Sequence, residues 1–434
     1  MPEIPFSNTI KSLAEPAIPS PLSNTLFVGK EEYQLYDTDL RSVEKTIREG
    51  RTPPCFEHGG PRENIFFDPQ KTKAALVTCG GLCPGLNDVI RSVVMELYYH
   101  YHVEKIIGFR YGYNGIKPNP IEKPLYLTPE DVEKIHNQGG TILGTSRGAP
   151  DYEEVTDHLE RNKIDILFSI GGDGTLAGAH KIAHICLNRK NGIAIIGIPK
   201  TIDNDILYTS RTFGFLTAVE EARKSVTSIH NEATSLPNGV GILKLMGRDS
   251  GFIAANATLS NNQVNYCLIP EADFDLDGEK GLLNDLKYRL EKRRHAVIVV
   301  AEGAGQKFFN KDTSHRDESG NIQHKDIGVF LRDSITEYGK RNGIPISVKY
   351  VDPSYTIRSH AANAEDSAFC LMLGQNAVHA AMAGKTDMIV SSWNNTCVHV
   401  PIEIAISARK KIDPASTFWH TVLNATGQRE LKNR

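Results

Sequence analysis

From Lys71 onward, short apolar runs that end in glycine or aspartate alternate with stretches of helical spacing. Residues 73–79 are an apolar run meeting Gly80-Gly81, which predicts a buried strand entering a tight turn. Residues 87–100 then show helical spacing through Val89, Ile90, Val93, Val94 and Leu97. Further strands are predicted over 105–108, 165–170, 193–198, 239–245, 296–301 and 346–351. Helices are predicted over 176–187, 213–229, 250–259 and 328–338. Such alternation predicts an α/β protein with parallel sheets covered by helices on both faces. There is too much of it for one sheet, so two doubly wound parallel-sheet domains with a cleft between them are expected. Residues 1–70 differ: Pro16, Pro19, Pro21, Pro53, Pro54 and Pro61 interrupt them, and little periodicity is visible. They read as an irregular N-terminal arm packed on the main body, with disorder as the alternative for roughly the first 20 residues. The first domain is placed at 71–213, completed by about 357–410, and the second at 214–356, completed by 411–434.

Composition narrows the classes. With 434 residues there is chain enough for two or three domains. A formal net charge of -3 offers no general field for nucleic acid or an anionic membrane, so phosphate binding has to come from local sites. The seven cysteines are scattered, with no Cys-x-x-Cys pair and no Cys/His zinc spacing, which fits a reduced, intracellular setting. No apolar run reaches membrane-spanning length, and residues 1–11 lack the layout of a signal peptide. The last residues, 430–434, are no peroxisomal address. A cytoplasmic location is expected.

Four segments carry chemistry. Gly80-Gly81-Leu82-Cys83-Pro84-Gly85-Leu86-Asn87 joins a strand to a helix, where glycines let backbone N–H groups approach a phosphate. A purely structural turn is as good a reading of this segment alone, and it is not a Walker A loop. Gly171-Gly172-Asp173-Gly174-Thr175 repeats the arrangement, with Asp173 placed to hold Mg²⁺ directly or through water, or simply to cap a turn. Pro199-Lys200-Thr201-Ile202-Asp203-Asn204-Asp205 sets two carboxylates at i, i+2 beside Lys and Thr. One suits a general base on an attacking hydroxyl, the other suits metal, and Lys200 neutralises phosphate. The alternative is a polar loop of Asx-turns. Met246-Gly247-Arg248 ends another strand, with Arg248 suited to phosphate or transferring charge. Glu302, Lys349, Tyr355 and Arg358 also follow or lie in strands, and each taken singly is as readily structural.

Together and in this order, these motifs resemble the phosphofructokinase family, from about Gly60 to the C-terminus. The specific matches are 80–87, 171–175, 199–205 and Lys-Leu-Met-Gly-Arg-Asp-Ser-Gly at 244–251. Residues 60–69 resemble the long-chain branch found in plants, trypanosomatids and some bacteria. The resemblance implies transfer of the γ-phosphoryl group of Mg²⁺·ATP to the 1-hydroxyl of fructose 6-phosphate, the committed step of glycolysis. It implies that the domain at 71–213 binds nucleotide and the one at 214–356 binds sugar phosphate. Asp203 is implied as the base, beside Thr201, with Arg248 and Lys200 completing the catalytic set. Asp173 is implied to organise Mg²⁺, with Asp205 as a helper. Gly81, Arg147, Gly148, Gly172, Asp173, Gly174 and Thr175 are implied to bind ATP, with Tyr113 flanking the adenine. Thr201, Asp203, Met246, Gly247, Arg248, Glu302, Tyr355 and Arg358 are implied to bind fructose 6-phosphate.

The sequence departs from the short bacterial pattern at two places. Tyr355 stands where those enzymes have His. Their arginine from a neighbouring subunit, near Asn238-Gly239, is absent here, and Lys349 is offered in its place. A homo-oligomer, dimer or tetramer, is implied, and allosteric control, for instance by AMP, rests on the resemblance alone. Two positions bear on the donor. Pyrophosphate-using relatives carry Asp where Gly174 stands and Lys where Lys200 stands. Gly174 leaves space for the α-phosphate of ATP, and exclusion by a carboxylate is harder to evade than an added positive charge, so ATP is expected. Pyrophosphate-dependent transfer and a non-catalytic sugar-phosphate sensor are the alternatives. A lipid or NAD kinase shares the Gly-Gly-Asp-Gly core but lacks the 199–205 and 246–248 segments.

Overall fold

In the strands that run through the middle of the first sheet almost every side chain is apolar and buried, and this sets the architecture. The structure is a computed structural model that describes residues 9–23, 25–309 and 324–433. The first eight residues of the arm, and Arg434 of the C-terminal segment, lie outside the described residues. The chain forms two units: Met1–Thr201 with Ile206–Phe213 and Ala361–Ala408, and Ile202–Asp205 with Gly214–His360 and Arg409–Arg434.

The strands of the two main sheets, in chain order, are β1 (Tyr33–Leu35), β2 (Cys55–His58), β3 (Lys73–Thr78), β4 (Lys105–Gly108), β5 (Leu125–Tyr126), β6 (Ile166–Gly171), β7 (Ala194–Pro199), β8 (Gly239–Leu245), β9 (Tyr266–Leu268), β10 (His295–Ala301), β11 (Ser347–Val351), β12 (Met388–Trp393) and β13 (Thr396–Pro401). The helices used below are α1 (Leu86–Met95), α2 (Asp173–Arg189), α3 (Phe215–Thr234), α4 (Phe252–Asn261), α5 (Leu282–Arg293), α6 (Ile327–Arg341) and α7 (Ala364–Met382).

In the first unit nine strands among the described residues form one sheet, ordered β1-β2-β13-β12-β7-β6-β3-β4-β5. Its middle, β12-β7-β6-β3-β4, is parallel. β6 and β7 are buried along their whole length. Strands covered on both faces lose the apolar/polar alternation, which is why the sequence shows them as unbroken apolar runs. α2 packs on β6 and β7, and α7 packs on β7 and against α1. α1 and α7 come close enough that a Cβ at Gly374 would meet Ser92 Oγ at 2.4 Å. From β3 the chain runs first to β4 on one side and then to β6 on the other. The carboxyl ends of β3 and β6 therefore flank a reversal of strand order, where open α/β sheets bind ligands.

The arm is mostly irregular, but it also extends this sheet. β2 pairs antiparallel with β13, and β1 with β2. Tyr36 of the arm stacks on Trp393 at 5.4 Å between ring centroids, and its carbonyl accepts from Trp393 Nε1 at 2.9 Å. Glu57 of β2 meets Arg62 and Lys385, each at 2.9 Å, and His399 Nδ1 at 3.3 Å. Strands this short carry no readable alternation, so their place in the sheet was not visible in sequence.

In the second unit β9-β10-β8-β11 form an all-parallel sheet. Leu282, Leu283, Leu286 and Leu290 of α5 and Ile327, Leu331 and Ile335 of α6 pack on one face, against Val240, Ile242, Ile298 and Val300. α3 also packs on this sheet, so closely that a Cβ at Gly241 would meet Ile229 Cγ1 at 2.6 Å. β8 is flanked by β10 and β11, so this sheet also reverses direction beside its first strand. No helix among the described residues is long and apolar enough to cross a membrane.

Candidate active site

The predicted site residues fall into two groups, one in each unit, at the carboxyl ends of strands. In the first unit the turn after β3 and the turn after β6 lie at the switch point. Gly80 has φ +85° and Gly85, which precedes α1, φ +94°, backbone conformations that glycine adopts without penalty. Gly80 N donates to Ser146 O at 2.9 Å and Thr145 Oγ1 donates to Gly80 O at 2.6 Å, tying the turn to the segment that carries Arg147 and Gly148. Arg147 is exposed, and Gly148 has φ +99°. After β6, Gly172 is the residue before α2, extended and with no side chain in the cap position. Asp173, Gly174 and Thr175 form the first helical turn, whose leading N–H groups have no partners within the helix. That end carries the positive end of the helix dipole and suits phosphate. A Cβ built on Gly174 meets nothing within 4 Å.

Lys200 links the two turns. Its backbone N–H donates to Gly171 O at 2.9 Å, and its Nζ donates to Gly81 O at 2.7 Å. Only 6% of it is exposed, so its charge is held in place between the glycine turns. Thr201 follows, its carbonyl accepting from Thr212 Oγ1 at 2.6 Å. Tyr113 lies behind the first turn of α2. It is 4% exposed, its hydroxyl donates to Thr175 O at 2.9 Å, and its ring packs edge-on to Tyr152. It braces the first turn of α2.

The second unit holds the acidic and guanidinium groups. Asp203 is part-buried, and its carbonyl accepts from Ser250 Oγ at 3.1 Å. Burial raises its carboxyl pKa well above the ordinary aspartate value, the charges of Asp205 and Glu302 raise it further, and Arg409 and the Arg248 backbone N–H pull the other way. Asp205 is buried and accepts from Arg409 Nη1 at 2.7 Å. Asn204 has φ +56° and its Oδ1 accepts from Lys410 Nζ at 3.0 Å. Burial brings Lys410 down to about 8.

Met246, Gly247 and Arg248 leave the end of β8. Gly247 has φ +123°, and a Cβ there would lie 2.4 Å from Ser250 O. Gly303 N donates to Gly247 O at 3.1 Å, and Glu302 N to Leu245 O at 2.9 Å, so the loops after β8 and β10 are stitched together. Burial raises Glu302, while the charges of Arg248, Lys244 and Arg358 lower it. Arg358 lies over the ring of Tyr355 at 4.7 Å, and Tyr355 is 76% exposed. The structure thus gathers Arg248, Glu302 and Arg358, with Tyr355 stacked beneath Arg358. Lys349 is not brought to this group: it stands exposed in the middle of β11, in register with Gly241.

Three charged residues were missed in sequence. Arg409 and Lys410 reach Asp205 and Asn204 across more than two hundred residues of chain. Lys244, inside the 244–251 motif, pairs with Asp326 at 2.9 Å and Asp352 at 2.8 Å. The run Arg409-Lys410-Lys411 was the available signal, but a basic run near a C-terminus ordinarily means a solvated surface. Chemically, the first group can hold a polyphosphate. The second offers a carboxylate of raised proton affinity and two guanidinium groups suited to an anionic sugar.

A family profile described as Phosphofructokinase matches residues 73–381. The chain is 51% identical over 379 residues to the ATP-dependent 6-phosphofructokinase of Borreliella burgdorferi, covering 86% of this chain and 85% of that one. It is 48% identical over 373 residues to the chloroplastic ATP-dependent 6-phosphofructokinase 5 of Arabidopsis thaliana, covering 86% and 69%. Its fold resembles the crystal structure of the pyrophosphate-dependent phosphofructokinase from Marinobacter aquaeolei, with a TM-score of 0.67 at 21% identity over 83% of this chain and 92% of that one.

Proposed function

We propose that this chain, which belongs to the phosphofructokinase family and phosphorylates fructose 6-phosphate with ATP, uses Asp203 as the base for the transfer. Asp203 accepts the proton of the sugar 1-hydroxyl as that oxygen attacks the γ-phosphorus. The observation that carries this role is its environment: a part-buried carboxyl with its proton affinity raised by burial and by two neighbouring carboxylates. A carboxylate whose pKa is raised is the stronger proton acceptor once it is ionised. Lys200, fixed between the glycine turns, neutralises phosphoryl charge. Gly81, Arg147, Gly148, Gly172, Asp173, Gly174 and Thr175 hold the nucleotide. Arg248, Glu302, Tyr355 and Arg358, with Thr201, Met246 and Gly247, hold the sugar phosphate. The open space at Gly174 supports a nucleoside triphosphate as donor.

Asp173 fits Mg²⁺. It is a carboxylate at the phosphate-binding end of α2, and Mg²⁺ is ordinarily held by one or two carboxylates together with substrate phosphates. When bound, the ion supplies charge neutralisation to the phosphates. Lys349, exposed on β11, is the residue offered to a second copy of the chain in a homo-oligomeric, cytoplasmic enzyme. Allosteric control, by AMP for example, belongs to the same reading.

The test is Asp203→Ser. A positioned base contributes on the order of 10²–10⁴-fold, so kcat should fall by that much. Because the folded pKa of Asp203 is raised, its ionisation costs stability as pH rises above the unfolded value. The variant should therefore unfold at the same or a higher temperature at neutral pH. A kcat near that of the native protein would remove Asp203 from the reaction.

A further inference from the structure

Asp387 lies at the junction between Lys385–Thr386 and β12, far along the chain from every motif used above. It has φ +57°, unusual for a residue with a side chain, and its backbone is held on both sides: its N–H donates to Ile195 O at 3.0 Å and its carbonyl accepts from Ile402 N at 3.1 Å. The side chain is 3% exposed. Two histidines of α2 face it. His180 Nδ1 is 2.7 Å from Oδ1 and His184 Nε2 is 3.5 Å from Oδ2. They are four residues apart on the helix, so they share one face, and their ring centroids are 4.3 Å apart. One ligand atom from each of the three residues lies within 4.8 Å of the others.

A buried carboxylate needs a cation. Here the Lys11 ammonium supplies it, 2.7 Å from Asp387 Oδ2 and donating to His184 Nε2 at 3.0 Å. Lys11 comes from the arm, and it is held there by a two-residue pairing, Lys11↔Thr386 and Ser12↔Lys385, with one further bond from Leu13 N to Gly384 O at 2.9 Å. We propose that His180, His184 and Asp387 bind a divalent transition ion of the Zn²⁺ class, which competes with the Lys11 ammonium for a single seat.

Two imidazoles and a carboxylate are the nitrogen and oxygen donors Zn²⁺ takes, and the approach of a fourth ligand is open because His184 is half exposed. Tetrahedral bonds of about 2.0 Å place ligand atoms about 3.3 Å apart, a value that lies between the two histidine–carboxylate separations, 2.7 and 3.5 Å, and three ligand atoms within 4.8 Å of one another reach it by small side-chain shifts. Burial, then Lys11 and His180, push the pKa of His184 down, which favours the neutral ring that a metal requires. On binding, His180 moves its proton to Nε2, freeing Nδ1. Glu403 adds negative charge from a separate segment. Mg²⁺ prefers oxygen donors and does not compete. Because one seat serves both cations, ion binding and docking of the arm oppose each other by the same factor.

The experiment is titration of the full chain with Zn²⁺ by calorimetry and with Co²⁺ by its visible d–d absorption. Native protein should take up one ion with a tetrahedral Co²⁺ spectrum. Lys11→Met should bind at least tenfold more tightly, and His184→Gln at least tenfold more weakly. Zn²⁺ should speed hydrogen exchange at the amide of Leu13. His184 lies about 16 Å along α2 from Asp173, at 1.5 Å per residue, so turnover of His184→Gln without Zn²⁺ should match that of the native protein. Binding that His184→Gln leaves unchanged, or no binding by Lys11→Met, would overturn the site. Equal affinities for native protein and Lys11→Met would overturn the competition.

Discussion

Replacing Gly174 with Asp isolates the choice of phosphoryl donor from the stability of the fold. Gly174 is the second residue of α2, and a Cβ there meets nothing within 4 Å, so the new side chain displaces no backbone. Within the protein the change is favourable. Gly inside a helix is about 1 kcal/mol worse than Ala, and an acidic residue in the first turn gains about 0.3–1 kcal/mol from the helix dipole. Tm should stay level or rise slightly. Toward the nucleotide the sign reverses. Two like charges about 5 Å apart at an effective dielectric near 20 repel by about 3 kcal/mol. At about 1.4 kcal/mol per decade, that lowers kcat/KM for ATP by about a hundredfold. Pyrophosphate has no nucleoside end and escapes the clash, while Lys200 remains to hold it. The assay compares initial rates of fructose 1,6-bisphosphate formation with each donor, alongside thermal unfolding. An unchanged kcat/KM for ATP would show that Gly174 does not line the nucleotide site. Equal losses with both donors together with a lower Tm would trace the effect to the fold and refute the reasoning.

Asp203 must be deprotonated to act as base, so activity should fall on the acid side as pH drops through its raised pKa. Arg409→Gln removes a charge that lowers that pKa, so the acid limb of the kcat/KM profile should move to higher pH; an unmoved or lowered limb would disprove the coupling. Arg358→Ala should raise KM for fructose 6-phosphate at least tenfold with little change in KM for ATP, and a loss confined to ATP would reject the assignment. Burial disfavours the charge on Glu57, but His399 and then Lys385 overcome this and hold it at about 2. Its folded pKa is depressed, so its contribution is complete above the unfolded value near 4.5 and fades as pH falls toward 2, amounting to roughly 3 kcal/mol at most. In acid titrations followed by Trp fluorescence, Glu57→Gln should be less stable than the native protein at pH 6 and should converge with it near pH 2; a constant difference across that range would contradict this.

What could be read in the sequence follows from what lies close along the chain. β3, β6, β7 and β8 are largely buried strands that end within two residues of Gly80, Gly171, Lys200 and Met246, so apolar runs and chemical motifs are contiguous and their order points to the candidate site. β1 and β2 escaped because they are short strands whose burial depends on Trp393 and Val398 arriving from the other end of the chain. The elements after residue 351, α7, β12 and β13, carry no motif to mark them and were not assigned. For Tyr113 the resemblance implies a place beside the adenine, and only the tertiary fold shows that its hydroxyl also reaches Thr175 O in α2.

Arg409 shows the limit most clearly. Asp203 and Asp205 are two residues apart, and two carboxylates so placed would repel one another if both were ionised. The motif names both aspartates but holds no cation on their side of Thr201, so sequence cannot assign them different states. The structure separates them. Asp205 accepts from Arg409 Nη1 at 2.7 Å, while burial and then the charges of Asp205 and Glu302 raise Asp203. One carboxylate is thereby tied to a guanidinium and the other given higher proton affinity, an asymmetry that suits Asp203 to the role of base proposed for it. The residue that enforces it comes from the C-terminal segment, beyond the family match that ends at residue 381.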